Sequence, residues 1–526
     1  MNSYRLGIDV GGTHTDAVIL DNAYQVIAEV KTTTTTDVSE GIYKAMKEVV
    51  AASGVLASEI DFAMLGTTHC TNAIVERRRL NKIAIIRIGA PATLAIKPLT
   101  GVPDDLKNII GKHIHIVRGG HEFDGREIVP LDESHIYEIA KEIKGQADSV
   151  AVTSVFSPVS TAHEIRTAEI LEEVLGTEIP ISLSHEIGSV GLLERENATI
   201  LNASIVEVAR STADGFVKAL KKEGIHAKVF FGQNDGTLMS VEYTVKYPIL
   251  TIACGPTNSL RGAAYLSDYP DALVVDVGGT TTDVGVLIDS FPRQSSLAVE
   301  IGGVRTNFRM PDIASIGLGG GTIVELHEDG SFSIGPESVG YLLSEKGIVF
   351  GGNTLTTTDV AVAVGVANIG NRELLAHLDL SVLKKVYARM IEMAEATIDK
   401  MKTSADPVPV ILVGGGSILF PAQLQGASEV IKPKNSGVAN AIGSAISQVS
   451  GQIEKIFKTD ELGREQTVAL AKELACQEAV DAGADPGKLV IVDIDEVPLS
   501  YLPGNATKIR VKAAGELLDN KLVSNS

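Results

Sequence analysis

The sequence predicts an α/β protein of two similar domains that face one another, followed by a small C-terminal α/β segment. Three observations predict it. Residues 9–16 read Asp-Val-Gly-Gly-Thr-His-Thr-Asp and residues 276–283 read Asp-Val-Gly-Gly-Thr-Thr-Thr-Asp, so only His14 against Thr281 differs. Each copy follows a short apolar run, Leu6-Gly7-Ile8 or Leu273-Val274-Val275, and leads into another, Ala17–Leu20 or Val284–Ile288. That is strand, tight turn, strand, twice, about half a chain apart, which is too far for a solenoid and marks two domains. Second, strand-like and helix-like apolar patterns alternate along the chain. Third, the composition changes near residue 451. The expected domains are 1–190 and 191–450, with 451–526 as the segment.

Taken in order, Arg5–Val10, Thr15–Leu20 and Val26–Lys31 read as an antiparallel meander. Lys31–Asp37 is a Thr-rich loop. Ile42, Ala45, Met46, Val49 and Val50 keep a helical period across Val38–Ser53, with Ser39 as N-cap. Phe62–Leu65 is a buried strand. Asn72–Arg79 is a helix that Thr71 or Asn72 can cap, and Lys82–Ile88 is the next strand. The order β-β-β-α-β-α-β is that of a ribonuclease-H-like half. Ser134–Lys144 and Ala162–Leu175 read as helices, and Ser149–Val155 and Ile181–Ser184 as strands. Gly191–Val208 holds an amphipathic connector whose Glu194-Arg195-Glu196 run reads as a solvated face. Val229–Phe231 is a strand, Cys254–Ser259 caps the helix Leu260–Leu266, and Leu355–Asp359 caps Val360–Val366. Ser381 caps the long helix Val382–Thr403, Val408–Val413 is a buried strand, and Gly437–Ser450 is a small-residue helix. The last segment reads as helix Arg464–Ala482 and strands Leu489–Glu496, Leu499–Leu502 and Thr507–Val511. It is expected to complete the second domain or to mediate assembly.

Composition narrows the function. A length of 526 residues allows two to four domains. A formal net charge of −20 argues against a nucleic-acid partner, which needs basic surface. No apolar run reaches the roughly 18 residues of a membrane span. Met1–Leu6 leads straight into a strand and leaves no room for a signal peptide. Cys70, Cys254 and Cys476 lack metal-ligand spacing and cannot all pair, which fits a reducing, cytoplasmic setting.

The repeated turns carry the expected chemistry. Gly11-Gly12 and Gly278-Gly279 are expected to take positive φ and let a ligand approach the backbone. Successive N–H groups in such a turn form a concave anion site, and Thr13 and Thr280 add hydroxyls. Asp9 and Asp276 would repel phosphate, and Mg²⁺ resolves this, because it is held through one or two carboxylates, waters and phosphates. Two further turns, Gly317–Gly321 and Gly414-Gly415-Gly416-Ser417, extend the set. Gly66–Asn72 is a run of small polar residues between a strand end and a helix start, and Thr67, Thr68, Thr71 and Asn72 are expected on the substrate side. Cys70 beside His69 lacks a third orienting group and is read as a small side chain rather than a nucleophile. His121, Glu122 and Asp124 suit a metal or acid–base work, while Asp124-Gly125 also reads as a solvated turn.

Together these turns resemble those of the actin, Hsp70 and sugar-kinase superfamily, where two facing ribonuclease-H-like domains hold ATP in the cleft. The resemblance implies that Gly11, Gly12, Thr13, Gly278, Gly279 and Thr280 bracket the phosphates. It places Gly319 and Gly320 at the nucleotide and Gly414, Gly415, Gly416 and Ser417 at its adenosine. Asp9 and Asp276 then hold Mg²⁺, and Asp16 or Asp283 positions a water, so these four are the expected catalytic carboxylates. A finer resemblance runs through Gly66-Thr67-Thr68, Thr71-Asn72-Ala73, Glu76-Arg77, Leu183-Ser184, Glu194-Arg195, Asn202-Ala203, Gly255-Pro256, Gly319–Thr322, Gly335–Ser338 and Thr358-Asp359. These residues, with both repeats, are similar to the hydantoinase A/oxoprolinase family over 1–450. The resemblance implies ATP-dependent opening of hydantoin or lactam rings through a phosphorylated amide oxygen. Relatives carboxylate ketones, and many members work with a hydantoinase B-type subunit, so a homo- or hetero-oligomer is implied. Family members often carry Asp and His before the third turn. Here Asp312 is followed by Ala314, so no metal role is assigned there. The short tail stands where larger members have a long C-terminal domain.

The expected function is an ATP-dependent hydrolase that opens a cyclic amide such as hydantoin, 5-oxoproline or a related lactam. An amide is a poor electrophile, and phosphate on its oxygen makes a leaving group; such transfer is mostly positioning and electrostatics. Two alternatives are a small-molecule kinase of the sugar-kinase type, and an ATP-driven switch or carboxylase subunit acting with a partner.

Overall fold

The computed structural model describes residues 3–34, 38–188, 190–295, 299–308, 310–499 and 505–518. Two of its sheets repeat one another. In the first, Val26–Thr33, His14–Leu20 and Tyr4–Val10 are antiparallel neighbours, and Ile60–Thr67 and Lys228–Gly232 follow in parallel. In the second, Phe291–Pro292, Thr282–Ile288 and Ala272–Val277 are antiparallel, and Val408–Val413 and Ala427–Ile431 are parallel. The strand order is therefore the same, and each repeated turn joins the first two strands of its sheet. Leu6–Val10 is buried at every residue, because a central strand covered on both faces reads as an apolar run rather than an alternation.

The strand expected at Lys82–Ile88 does not join the first sheet. Ile83–Ala90 belongs to a separate, all-parallel sheet with Gly111–Arg118, Ser149–Ser154 and Ile181–Leu183. The fifth strand of the first ribonuclease-H-like half is instead Lys228–Gly232, reached after the 31-residue helix Leu192–Lys222. The C-terminal segment extends the first sheet rather than completing the second. Val449–Lys458 pairs with Leu238–Ser240, and Ala506–Leu517 and Ala484–Pro498 follow, making nine strands. Helix Arg464–Asp481 lays Ala471, Ala475 and Ala479 over Phe62, Met64, Phe230 and Leu238. Hydrogen bonding thus crosses the expected boundaries at 190 and 450. Most of the strand expected at Leu499–Leu502, and the end of the Thr-rich loop, lie outside the described residues.

Several local expectations change. The helix after Gly66–Thr68 is His69–Glu76 with Thr68 at its N-cap, so neither Thr71 nor Asn72 caps it. Cys254–Ser259 lies inside the helix Cys254–Ser267, and Asp379 rather than Ser381 caps Leu380–Met401. The Glu194-Arg195-Glu196 run is not solvated beyond its first residue. Arg195 and Glu196 are fully buried; Glu196 binds Arg87 through both oxygens, and Arg195 donates to Ser184 Oγ and to the Val190 and Ser154 carbonyls. Charge in a helix predicts exposure only when no partner waits inside.

Helix Ala439–Ile446 packs on the first sheet, Cys254–Ser267 packs on the second, and the two helices pack on each other. Small residues make this possible. A Cβ on Gly443 would lie 1.8 Å from the Asn258 carbonyl oxygen, and one on Gly262 would lie 1.9 Å from that of Ala439.

Candidate active site

The two repeated turns meet. A Cβ on Gly279 would lie 2.7 Å from Thr13 Cγ2, so the turn of one sheet touches the turn of the other. Both close alike: Gly11 N–H donates to His14 O at 2.9 Å, and Gly278 N–H donates to Thr281 O at 2.9 Å. None of the four glycines has a left-handed φ, contrary to expectation. At Gly279 it is the closeness of Thr13 that excludes a side chain, and at Gly12 the space is open. Among the described residues, the N–H groups of Gly12, Thr13, Gly279 and Thr280 have no acceptor, which leaves donors on both turns for an anion.

Strand register places the carboxylates. Asp9 pairs with Asp16 across the first hairpin, and Asp276 pairs with Asp283 across the second. Paired residues project from the same face, so each hairpin carries two acids side by side. Asp9 is buried and accepts from Asn258 Nδ2 at 3.1 Å and Asn440 Nδ2 at 3.0 Å; the latter also reaches Asp16 Oδ2 at 2.9 Å. Lys31 Nζ binds Asp16 at 2.8 and 2.9 Å and the Gly437 carbonyl at 3.0 Å. Burial pushes Asp9 up to about 6, with Asp16 and Asp276 adding repulsion against the two amides. Burial also pushes Asp283 up to about 6, with Asp276 beside it and Ser315 opposing, and it raises Asp276 against Ser259. Lys31 is the one cation bonded to this set among the described residues. Crowded oxygen ligands of this kind, buried at Asp9 and Asp16 and half-buried at Asp276 and Asp283, fit a divalent cation, which removes the mutual repulsion.

The other predicted residues divide. Val413 pairs with Asp276, and Gly414 has φ +83 with its Cβ position 2.3 Å from Asp276 Oδ1, so Gly414–Ser417 lies at the same strand ends as the second pair of acids. Gly415 borders Lys31. Gly319 and Gly320 do not offer donors. Gly319 N–H donates to Thr322 Oγ1 at 2.7 Å, and Gly320 N–H donates to the Gly278 carbonyl at 3.0 Å. These residues brace the second turn from behind, where a Cβ on Gly319 would lie 2.5 Å from Thr280 N. On the first sheet Asp9 pairs with Gly66, and Val10 pairs with Thr67. Thr67 is buried with its hydroxyl 2.9 Å from His69 Nδ1, whereas Thr68 and Thr71 are half-buried and Asn72 is exposed.

Lys31, Asn258 and Asn440 were missed because none lies in a glycine turn. Asn258 and Asn440 sit within helices, where asparagine is disfavoured, and that is the signal a sequence offers. Burial pushes Cys70 up to about 11 and lowers His69 to about 4, which leaves no thiolate nucleophile at neutral pH. His121 meets His163 and Glu127 rather than Glu122 and Asp124. His163 Nδ1 accepts from Gly120 N–H at 2.9 Å, so its proton sits on Nε2 and points at Glu127, 3.1 Å away; that arrangement disfavours a metal. Asp124 pairs with Arg126 at 2.7 Å, and Asp312 pairs with Arg293 at 2.6 Å.

Two facing ribonuclease-H-like halves whose acid-bearing turns meet define the class. Residues 5–175 match the hydantoinase/oxoprolinase N-terminal region and residues 195–405 match hydantoinase/oxoprolinase, so the chain belongs to the hydantoinase/oxoprolinase family. It is 27% identical to the acetophenone carboxylase gamma subunit of Aromatoleum aromaticum, over 69% of this chain and 53% of that one. It is 24% identical to caprolactamase subunit alpha of Pseudomonas jessenii, over 69% and 54%. The chain spans about half the length of these curated relatives. The solved structure of ATP-dependent caprolactamase from Pseudomonas jessenii shares the fold at TM-score 0.75, covering 98% of this chain and 88% of that one at 18% identity. No described helix is long and apolar enough to cross a membrane.

Proposed function

We propose that this chain uses ATP to open a cyclic amide such as hydantoin, 5-oxoproline or a related lactam. The single observation that carries the proposal is the contact of two acid-bearing hairpin turns, with unpaired N–H donors on both. Gly12, Thr13, Gly279 and Thr280 hold the phosphates, and Gly414–Ser417 meets the nucleoside. Asp9 and Asp276 would hold Mg²⁺, which neutralises charge between carboxylate and phosphate. Asp16, fixed by Lys31, and Asp283 orient water. Thr67, Thr68, Thr71 and Asn72 stand on the substrate side of the first turn. The γ-phosphoryl group passes to the amide oxygen. Water then adds to the acyl carbon and the ring nitrogen leaves as the amine; a second water attacks the acyl carbon of the resulting acyl phosphate, the C–O bond breaks, and phosphate leaves with the former amide oxygen. Three free cysteines fit a reducing cytoplasm.

The likeness to a carboxylase gamma subunit supports a second reading, in which the chain is the ATP-using subunit of a carboxylase and a hydantoinase B-type subunit is its partner. ADP release by the full chain with Mg²⁺, measured across hydantoin, 5-oxoproline and caprolactam, separates the two. Ring opening should match ADP release, and Asp9→Ala should abolish both. ADP release that no ring stimulates favours the carboxylase reading.

A further inference from the structure

We propose that the cavity where the three main sheets meet binds the cyclic amide, and that His185 is the general base of its opening. The proposal rests on the ring-opening reading and deepens it. The cavity, about 980 Å³, is bordered by Gln233, Asn234 and Asp235 after the fifth strand of the first sheet, by His185 after the parallel sheet, by Phe291 from the second sheet and by Lys512 from the C-terminal strands. Register places it near the phosphate turns. Asp9 pairs with Gly66, and Leu65 pairs with Phe231, so Gly232 stands two strands from Asp9. Two strand spacings are about 10 Å. Gly232 also abuts Asn258, whose amide holds Asp9, and the cavity wall begins at the next residue.

His185 is held as a proton acceptor is held. Its Nδ1 lies 2.6 Å from Glu164 Oε2, and its backbone N–H donates to the same oxygen at 3.0 Å. Glu164 is fully buried, and its other oxygen accepts from Ser154 N–H at 2.7 Å and from Ser184 Oγ at 2.5 Å. Burial works to raise the Glu164 carboxyl, but His185 and Ser184 outweigh it and hold the group below its ordinary value, so it stays ionised. A carboxylate on Nδ1 fixes the ring proton there and leaves the Nε2 lone pair on the opposite side. Among the described residues nothing else bonds to that ring, and His185 lines the cavity.

Much of the charge on the wall is paired, and Lys455 and Glu478 also line it. Lys512 is paired with Asp235 at 2.6 Å, Lys508 with Glu454 at 3.3 Å, and Glu186 with Lys246 at 3.0 Å. Once the amide oxygen carries phosphate, a water oxygen bonds to the acyl carbon while its proton passes to His185 Nε2 and the C=N pair moves to nitrogen. The imidazolium then returns that proton to the ring nitrogen as the C–N bond breaks.

His185→Asn keeps an N–H donor toward Glu164 but lacks Nε2. Its ring-opening kcat should fall about 100- to 10,000-fold with KM for hydantoin unchanged. Added imidazole should restore part of the loss in His185→Ala. A readout without turnover is the histidine ¹⁵N–¹H spectrum of the full chain, where hydantoin should move the His185 signals. Wild-type ring opening by His185→Asn overturns the base. His185 signals that no ring moves overturn the cavity. A wild-type chain that opens no ring overturns the underlying function, and the base with it.

Discussion

At the scale of residues, the site is a set of acids held together against their own repulsion. Asp9 and Asp283 sit near 6 instead of 3.8 because burial disfavours their charge. A carboxyl raised in the folded state lends stability below its unfolded value and loses it as pH climbs through the folded one. The chain without ligand should therefore lose stability between about pH 4 and pH 6 from these groups. A divalent cation must displace those protons, so stabilisation by Mg²⁺ and a nucleotide should grow over the same window; melting temperatures measured with and without ligand test this. Lys31→Ala strips Asp16 of its cation. Lys31 is about a third exposed, so the loss should be modest, about 1–3 kcal/mol, read by denaturant unfolding. The four acids were legible because the repeat printed them twice. Lys31 and the two asparagines were not, because they reach the acids from distant segments and no local pattern announces them.

At the scale of elements, the site depends on two helices that cross without side chains between them. Gly443→Ala would drive a methyl into the Asn258 carbonyl, and Gly262→Ala would drive one into that of Ala439. Each should destabilise by about 1–3 kcal/mol through overpacking. Each should also lower ATP turnover beyond the stability loss, because Asn258 and Asn440 ride on these helices. Gly12→Ala, which meets open space, serves as the control in the thermal measurement alone. The hairpins, the crossing helices and the parallel strand before Gly414 follow from local periodicity. The fifth strand of the first half did not, because some 150 residues of inserted chain separate it from Ile60–Thr67 and pattern carries no information about pairing at that range.

At the scale of the molecule, the C-terminal strands are part of the first sheet rather than an appendage. A chain ending at residue 447 would uncover Phe62, Met64, Phe230 and Leu238. Four such side chains represent about 6–12 kcal/mol, as large as the net stability of a domain. That truncation is expected to aggregate, as size-exclusion chromatography would show. The composition change near 451 falls within the strand Val449–Lys458, and a strand pattern cannot say which sheet edge it joins.

The central claim is that the cleft phosphorylates an amide oxygen, and isotope transfer tests it most directly. With caprolactam labelled with ¹⁸O at its carbonyl, or hydantoin labelled at both, each phosphate released should carry one labelled oxygen. Ring opening with unlabelled phosphate would contradict it.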